Sequence, residues 1–223
     1  MNIIKKYNSD ISNFKIRGRL LNYAAPVYDF FMQKIFFDIN NKKILEQLNK
    51  LTIEEDFKIL DVGCATGAIL KKQIARLNKN SFAVGIDGAF NMIKIASKKN
   101  KICNLHFICA DAAYLPFKNG YFDIIINTMF LHHLPIDCKI MALKEMKRVL
   151  KKGGIIFTVD IDKPTNFAVK IFLYLSALIL FQKEIKENID YGLIEIMKSA
   201  GITNNAILTQ YCGSVSVIKS VAL

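Results

Sequence analysis

From Lys58 onward the chain alternates short β-branched runs with helical stretches, and few folds accept that order. Strand-type runs read at 58–62, 81–87, 104–110, 122–127 and 154–161, and helix-type spacing at 66–77, 90–99 and 137–150. A polar loop with Pro116, Asn119 and Gly120 stands between the third and fourth runs. Strands joined by helices of this length must cross over right-handedly, which makes them parallel and covers both faces of the sheet. The end of the chain reads differently. Two β-rich runs, 202–211 and 214–221, are separated only by Cys212-Gly213, which predicts an antiparallel hairpin. The expectation is a doubly wound α/β fold: a mostly parallel seven-stranded sheet closed by a C-terminal antiparallel hairpin strand.

Residues 1–55 contain no obvious strand. Over 20–51 the apolar residues Ile35, Phe36, Ile39, Ile44, Leu45 and Leu48 recur three or four apart, a helical period that Pro26 interrupts near its start. One domain is expected: a helical N-terminal cap over 1–55, a core over 56–223, and an apolar helical insertion near 165–190.

The first strand runs into Asp61-Val62-Gly63-Cys64-Ala65-Thr66-Gly67. Strand, small-residue turn and helix in that order form a nucleotide-type pocket at the carboxyl edge of a parallel sheet. Glycine at 63 and 67 lets backbone approach a ligand or adopt positive φ, and the helix that follows presents free amides. The dinucleotide fingerprint G-x-G-x-x-G does not fit, because positions 65 and 68 are both alanine. Asp87 ends the second strand about 20 residues past the turn, where a carboxylate accepts ribose hydroxyls, and Asp111 ends the third. Any one of these acids alone can equally be a helix cap or a turn residue. Three at successive strand ends suit a cationic single-nucleoside ligand better than a pyrophosphate.

Taken together, Leu60-Asp61-Val62-Gly63-Cys64-Ala65-Thr66-Gly67, Gly85-Ile86-Asp87, Asp111-Ala112-Ala113-Tyr114-Leu115-Pro116-Phe117, Phe122-Asp123-Ile124-Ile125, Leu131-His132-His133-Leu134 and Arg148-Val149-Leu150-Lys151-Lys152-Gly153-Gly154 resemble the class I S-adenosylmethionine-dependent methyltransferases. The N-terminal Tyr23-Ala24-Ala25-Pro26-Val27-Tyr28-Asp29 resembles the ubiquinone/menaquinone-biosynthesis C-methyltransferase branch. The resemblance implies S-adenosylmethionine as methyl donor and S-adenosylhomocysteine as product. It places Asp61 and Gly63 near the methionine moiety, Asp87 on the ribose, and Asp111 with Ala112 at the adenine. Asn127 would border the methyl, Tyr28 would close over the cofactor, and Cys64, Ala65, Gly67, Gly88 and Met92 would complete the pocket. The family more often has glycine at the position of Ala65. Alanine there is expected to crowd the turn slightly while leaving it working, unless the position requires positive φ.

His132 and His133 follow the fourth strand, above the expected methyl. Either is a candidate general base for a hydroxyl or amine acceptor. The competing assignment has one capping the next helix and the other packing beneath the cofactor. No metal site is expected, since no third ligand stands at a recognisable spacing. The five cysteines form no CxxC pair, which points to a reducing compartment.

The run over 167–181 is apolar nearly all round. It is either a buried helix or a wall for a lipid-like acceptor, or else an interfacial helix with lysines near anionic headgroups. The acceptor is accordingly expected to be a small lipophile such as a quinol precursor. A soluble small molecule or RNA is the alternative substrate, and a methyltransferase-like scaffold the non-enzyme alternative. Net charge is +12, but only Arg17, Arg19, Arg76 and Arg148 are arginines, and the lysines are dispersed. The segment Asn127-Thr128-Met129-Phe130 lacks the Asn/Asp-Pro-Pro-aromatic signature for exocyclic amines, which argues against nucleic acid as the substrate. With neither an N-terminal apolar h-region nor a run long enough to span a bilayer, a cytoplasmic protein is expected, with peripheral membrane contact open.

Overall fold

The computed structural model describes residues 56–75, 78–179 and 184–222. The expected N-terminal cap over 1–55, with Tyr28 in it, lies outside the described residues.

Five strands in chain order, β1 (Lys58–Val62), β2 (Phe82–Asp87), β3 (Leu105–Cys109), β4 (Phe122–Thr128) and β5 (Leu150–Ile161), precede the hairpin β6 (Asn205–Tyr211) and β7 (Val215–Val221). They form one sheet in the order β3-β2-β1-β4-β5-β7-β6. Among the described strands, β7 alone runs opposite to the other six. Helices α1 (Ala68–Ile74), α2 (Phe90–Lys99), α3 (Ile136–Val149), α4 (Phe167–Ile179), α5 (Ile185–Tyr191) and α6 (Leu193–Ser199) complete the described elements, with a single 3-10 turn at Leu131–His133.

Burial alternates face by face along each strand. Ile59, Ala83, Ile124, Ile126, Phe157 and Val217 pack on one side against Leu70 and Ile74 of α1. Leu60, Val62, Val84, Ile125 and Ile218 pack on the other against Leu143 and Met146 of α3 and Met197 of α6. Both faces being covered, the central strands carry almost no polar residues. Among the buried polar residues they do carry, Asp61 in β1, Asn127 in β4 and Asp160 in β5 stand toward the strands' carboxyl ends.

Several boundaries differ from the sequence expectation. β5 begins at Leu150 rather than 154, because Leu150 pairs with Phe122 across an irregularity before Ile155 pairs with Ile124. That ends α3 one residue early. α6 was not anticipated. Its start is set by Gly192, at φ 82, and by Asp162, whose Oδ1 accepts the Leu193 amide at 2.7 Å. A cap supplied from 31 residues away leaves no local signature.

The sheet order reverses between β1 and β4, and ligands in open α/β sheets bind outside the strands' carboxyl ends at such a point.

Candidate active site

Gly63 leaves β1 at φ 79, with its amide and that of Cys64 both donating to the Ile86 carbonyl at 2.9 Å. A Cβ at Gly63 would lie 2.4 Å from the ring of Phe130, which follows β4, and one at Gly67 would lie 2.4 Å from Phe107. The two chain ends at the switch point thus approach more closely than any side chain on the turn permits. Asn100 fastens the turn from behind: its Nδ2 donates to the Thr66 carbonyl at 3.0 Å and to Ala96 at 2.9 Å.

Ala65 sits in the left-handed region at φ 47. The positive φ that would tell against alanine is therefore present, and the turn holds it because Asp87 Oδ2 accepts the Ala65 amide at 3.0 Å. Left-handed backbone costs an L-residue about 1 kcal/mol. Ala65→Gly is expected to raise the urea midpoint by an amount corresponding to a gain of up to about 1 kcal/mol. An unchanged or lowered midpoint would mean the strain is relieved elsewhere.

Asp87 is engaged at both oxygens, since Oδ1 accepts the Ala89 amide at 2.8 Å. Burial raises its pKa against the lowering effect of those two amides. The carboxylate shapes the turn and retains lone pairs for further donors. Asp111 Oδ1 accepts the Ala113 amide at 2.9 Å, the turn role open to any of these acids, and Ala112 beside it is buried. The loop they begin is held from α3, where Glu145 accepts the Leu115 amide and Arg148 donates to the Leu115 and Phe117 carbonyls. Met92 packs with Ala65 and Ala89, Gly88 is exposed, and the Cys64 thiol is pushed well up by burial and then by Asp61 and Asp87.

Asp61 differs from the other two acids. It is 1% exposed, and its Oδ2 has no hydrogen-bond partner among the described residues. Burial, and secondarily the charge of Asp87, raises its pKa from 3.8 to about 7. A buried carboxylate without a partner is costly, and a cation placed beside it would supply what the fold withholds. The site therefore suits a ligand bearing an ammonium or sulfonium group.

Past β4 the sequence reading missed the residue that organises the loop. Asp160, at the end of β5, is fully buried, and its Oδ2 accepts the amides of Phe130, Leu131 and His132 at 3.0, 2.6 and 3.3 Å. Its Oδ1 accepts the Ile161 amide at 2.7 Å and lies 2.6 Å from His132 Nδ1. Burial alone would raise its pKa; the charge of His132, the hydrogen bonds from its ring and from Ile161, and the charge of His133 hold it below the usual carboxylate range. The rule that found Asp61, Asp87 and Asp111, an acid where an apolar run ends, applies equally to Asp160. His132 is buried and its ring centroid lies 3.9 Å from that of His133. The first amide of α3, at Ile136, is capped by Glu187 of α5 at 3.2 Å rather than by a histidine. Asn127 has no exposed surface: its Nδ2 donates to Thr158 Oγ1 at 2.9 Å and lies 3.7 Å from Met146 Sδ, among core residues. Met129, at φ 51, puts a second strained residue at the switch point. Among the described residues no three potential metal ligands converge.

Residues 59–154 match the family described as a methyltransferase domain. Over 160 residues the chain is 32% identical to the ubiquinone/menaquinone biosynthesis C-methyltransferase of Wigglesworthia glossinidia brevipalpis, covering 69% of this chain and 62% of that protein. This is a class I S-adenosylmethionine-dependent methyltransferase domain. The demethylmenaquinone methyltransferase of Listeria welshimeri is 29% identical over 149 residues, covering 66% of the chain and 62% of that enzyme. The match thus spans about three fifths of the length of these relatives. The solved S-adenosylmethionine-dependent methyltransferase of Aquifex aeolicus superposes with a TM-score of 0.65 at 17% identity, over 91% of this chain and 98% of that one. The methyltransferase fold therefore extends through the C-terminal hairpin, well past the matched domain.

Proposed function

We propose that this chain transfers the S-methyl group of S-adenosylmethionine to a small lipophilic acceptor of the quinol-precursor type. The observation that carries the donor half is the buried Asp61 carboxylate, whose Oδ2 beside the turn has no hydrogen-bond partner among the described residues. Asp61 would pair with the donor's ammonium, Asp87 would accept ribose hydroxyls with its remaining lone pairs, and Asp111 with Ala112 would border the adenine. Gly63 and Gly67 would keep the turn open to close approach. Bound there, the donor supplies an already electrophilic sulfonium methyl, so the protein's work is to orient, exclude water and accept a proton. His132 suits the role of proton acceptor, because Asp160 holds Nδ1 and leaves Nε2 as the ring nitrogen to take a proton from the methyl acceptor.

The acceptor half is supported by the names of the relatives, both quinone methyltransferases. Its test is turnover by the full chain offered, in separate reactions, a prenylated quinol precursor, a soluble catechol and bulk RNA, with S-adenosylhomocysteine read by mass spectrometry. Turnover with the prenylated substrate alone is expected. Turnover only with the catechol or RNA would overturn the acceptor. A chain that binds neither donor nor product by calorimetry would overturn the enzyme reading in favour of a scaffold.

A further inference from the structure

Of the exposed large apolar side chains on the described surface, half lie on α4: Phe167, Ile171, Phe172, Leu175 and Leu178. Phe167, Ile171, Leu175 and Leu178 follow one another at spacings of four, four and three, which aligns them along one side of the helix, with Phe172 flanking them. The opposite stripe is committed to the fold. Leu173 and Ala177, with Val169, pack against Ile185 and Ile189 of α5. The helix is thus anchored along one edge and presents the other, and the exposures of Phe167, Phe172 and Leu178, 75%, 70% and 72%, show how fully. A patch of this kind on a soluble surface marks an interaction site.

Charge indicates the partner. α4 carries no acid, and its one charged residue is Lys170. Exposed Lys163 stands just before the helix, and Lys170 and Lys186 hold their ammonium groups 5.8 and 5.6 Å from the Tyr174 ring centroid. Asp190, beside them, accepts the Tyr174 hydroxyl. An apolar ridge flanked by lysines, on a chain of net charge +12, complements an oily surface with anionic headgroups. The geometry says how it would sit. At 1.5 Å per residue, thirteen residues reach about 20 Å, short of a hydrocarbon core of about 30 Å, and no described helix is long and apolar enough to cross a membrane. α4 can lie in the interface but not span it. It follows β5, whose carboxyl end carries Asp160 beside His132, so the helix is reached from the same edge of the sheet as that histidine.

We propose that α4 is a membrane-docking helix that seats the chain on an anionic lipid bilayer through Phe167, Ile171, Phe172, Leu175 and Leu178. Seating of this kind would deliver a lipophilic acceptor from the bilayer, and it rests on the function proposed above for its purpose though not for its test.

The test is flotation of the full chain with vesicles of phosphatidylcholine alone and with about one-third phosphatidylglycerol, without donor or acceptor. Binding to the anionic vesicles is expected, at least about tenfold weaker on neutral ones and in about 0.5 M salt. The double variant Phe172→Glu, Leu175→Glu alters only exposed side chains, so it should melt like the parent and lose at least about tenfold in vesicle binding. Equal binding by parent and variant, or no binding by either, would overturn the inference. So would self-association of the parent that the variant abolishes, which would assign the ridge to a second copy. Surface labelling of α4 blocked equally with and without vesicles would assign it to the chain's own first 55 residues and likewise overturn it. Vesicle binding with turnover only of soluble acceptors would overturn the proposed acceptor and leave the docking helix standing. Turnover of a detergent-dispersed lipophile without vesicle binding would do the reverse.

Discussion

Asp61→Asn is expected to make the ligand-free protein more stable at pH 8 while losing at least about a hundredfold in affinity for S-adenosylhomocysteine. Both effects come from one carboxylate. Its folded pKa of about 7 lies above the ordinary value of 3.8, so the fold favours the protonated form. The stability this contributes is complete below about pH 4 and is lost as pH rises through about 7. Above that the parent carries a buried, uncompensated charge costing on the order of 3 kcal/mol, which the neutral amide avoids. Parent and variant should melt together near pH 4 and separate near pH 8, by roughly 6–10 °C for a chain of this size. The affinity loss reflects the missing ion pair with the ligand's ammonium, for which breaking one partner of a buried pair costs about 3 kcal/mol or more. Product binding by the parent should therefore strengthen as pH rises through about 7, where Asp61 ionises. A variant that binds product like the parent, or gains no stability at pH 8, would remove Asp61 from the donor site.

The second large effect is expected at Asp160. Asp160→Ala strips the partner from four backbone amides and one imidazole in a buried site, and a loss of about 3–5 kcal/mol at pH 7 follows. Because the folded carboxylate is held below its usual range, its contribution is present at neutral pH and lost as pH falls through that lowered value. The gap between parent and Ala variant, measured by urea unfolding, should narrow on acidification. Asp160→Asn retains the shape and can still accept through one oxygen, but its NH2 meets donors. It should fold and still bind S-adenosylhomocysteine within about threefold while turning over at least about a hundredfold more slowly, as expected if the loop and His132 serve the acceptor rather than the donor. Equal loss of product binding in the Asn variant would instead make Asp160 a support of the donor pocket.

These two acids mark how far the chain could be read before folding. Asp61 was legible because its neighbours in sequence, an apolar run before it and Gly63 after it, already define a strand meeting a tight turn. Asp87 and Asp111 were legible for the same reason. Asp160 follows an equally apolar run, yet its partners lie 28 to 30 residues earlier, and no local pattern announces them. The family resemblance places Asn127 beside the methyl; what the packed sheet adds is that its Nδ2 donates to Thr158 Oγ1 and lies 3.7 Å from Met146 Sδ, a direction set by strand alternation and visible only once the sheet is assembled. Ala65 shows the same limit in the backbone: the residue type predicted crowding, whereas its φ of 47 comes from the hold of Asp87 in the next strand.

By itself, the sequence determined whatever depends on near neighbours. That covers the strand runs and their apolar faces, the glycine turn after β1, the acids at the first three strand ends, and the hairpin at the end of the chain. Periodicity and turn chemistry act over a few residues, and the chain states them openly. Only the tertiary structure decided that Phe130 closes on Gly63, that Asp160 gathers His132 and its loop, that Asp61 Oδ2 finds no partner among the described residues, and that α4 buries one edge and exposes the other. Each of these depends on which distant segments the sheet order brings together. Register and burial belong to the assembled sheet and its helices, and no stretch of the chain carries them alone.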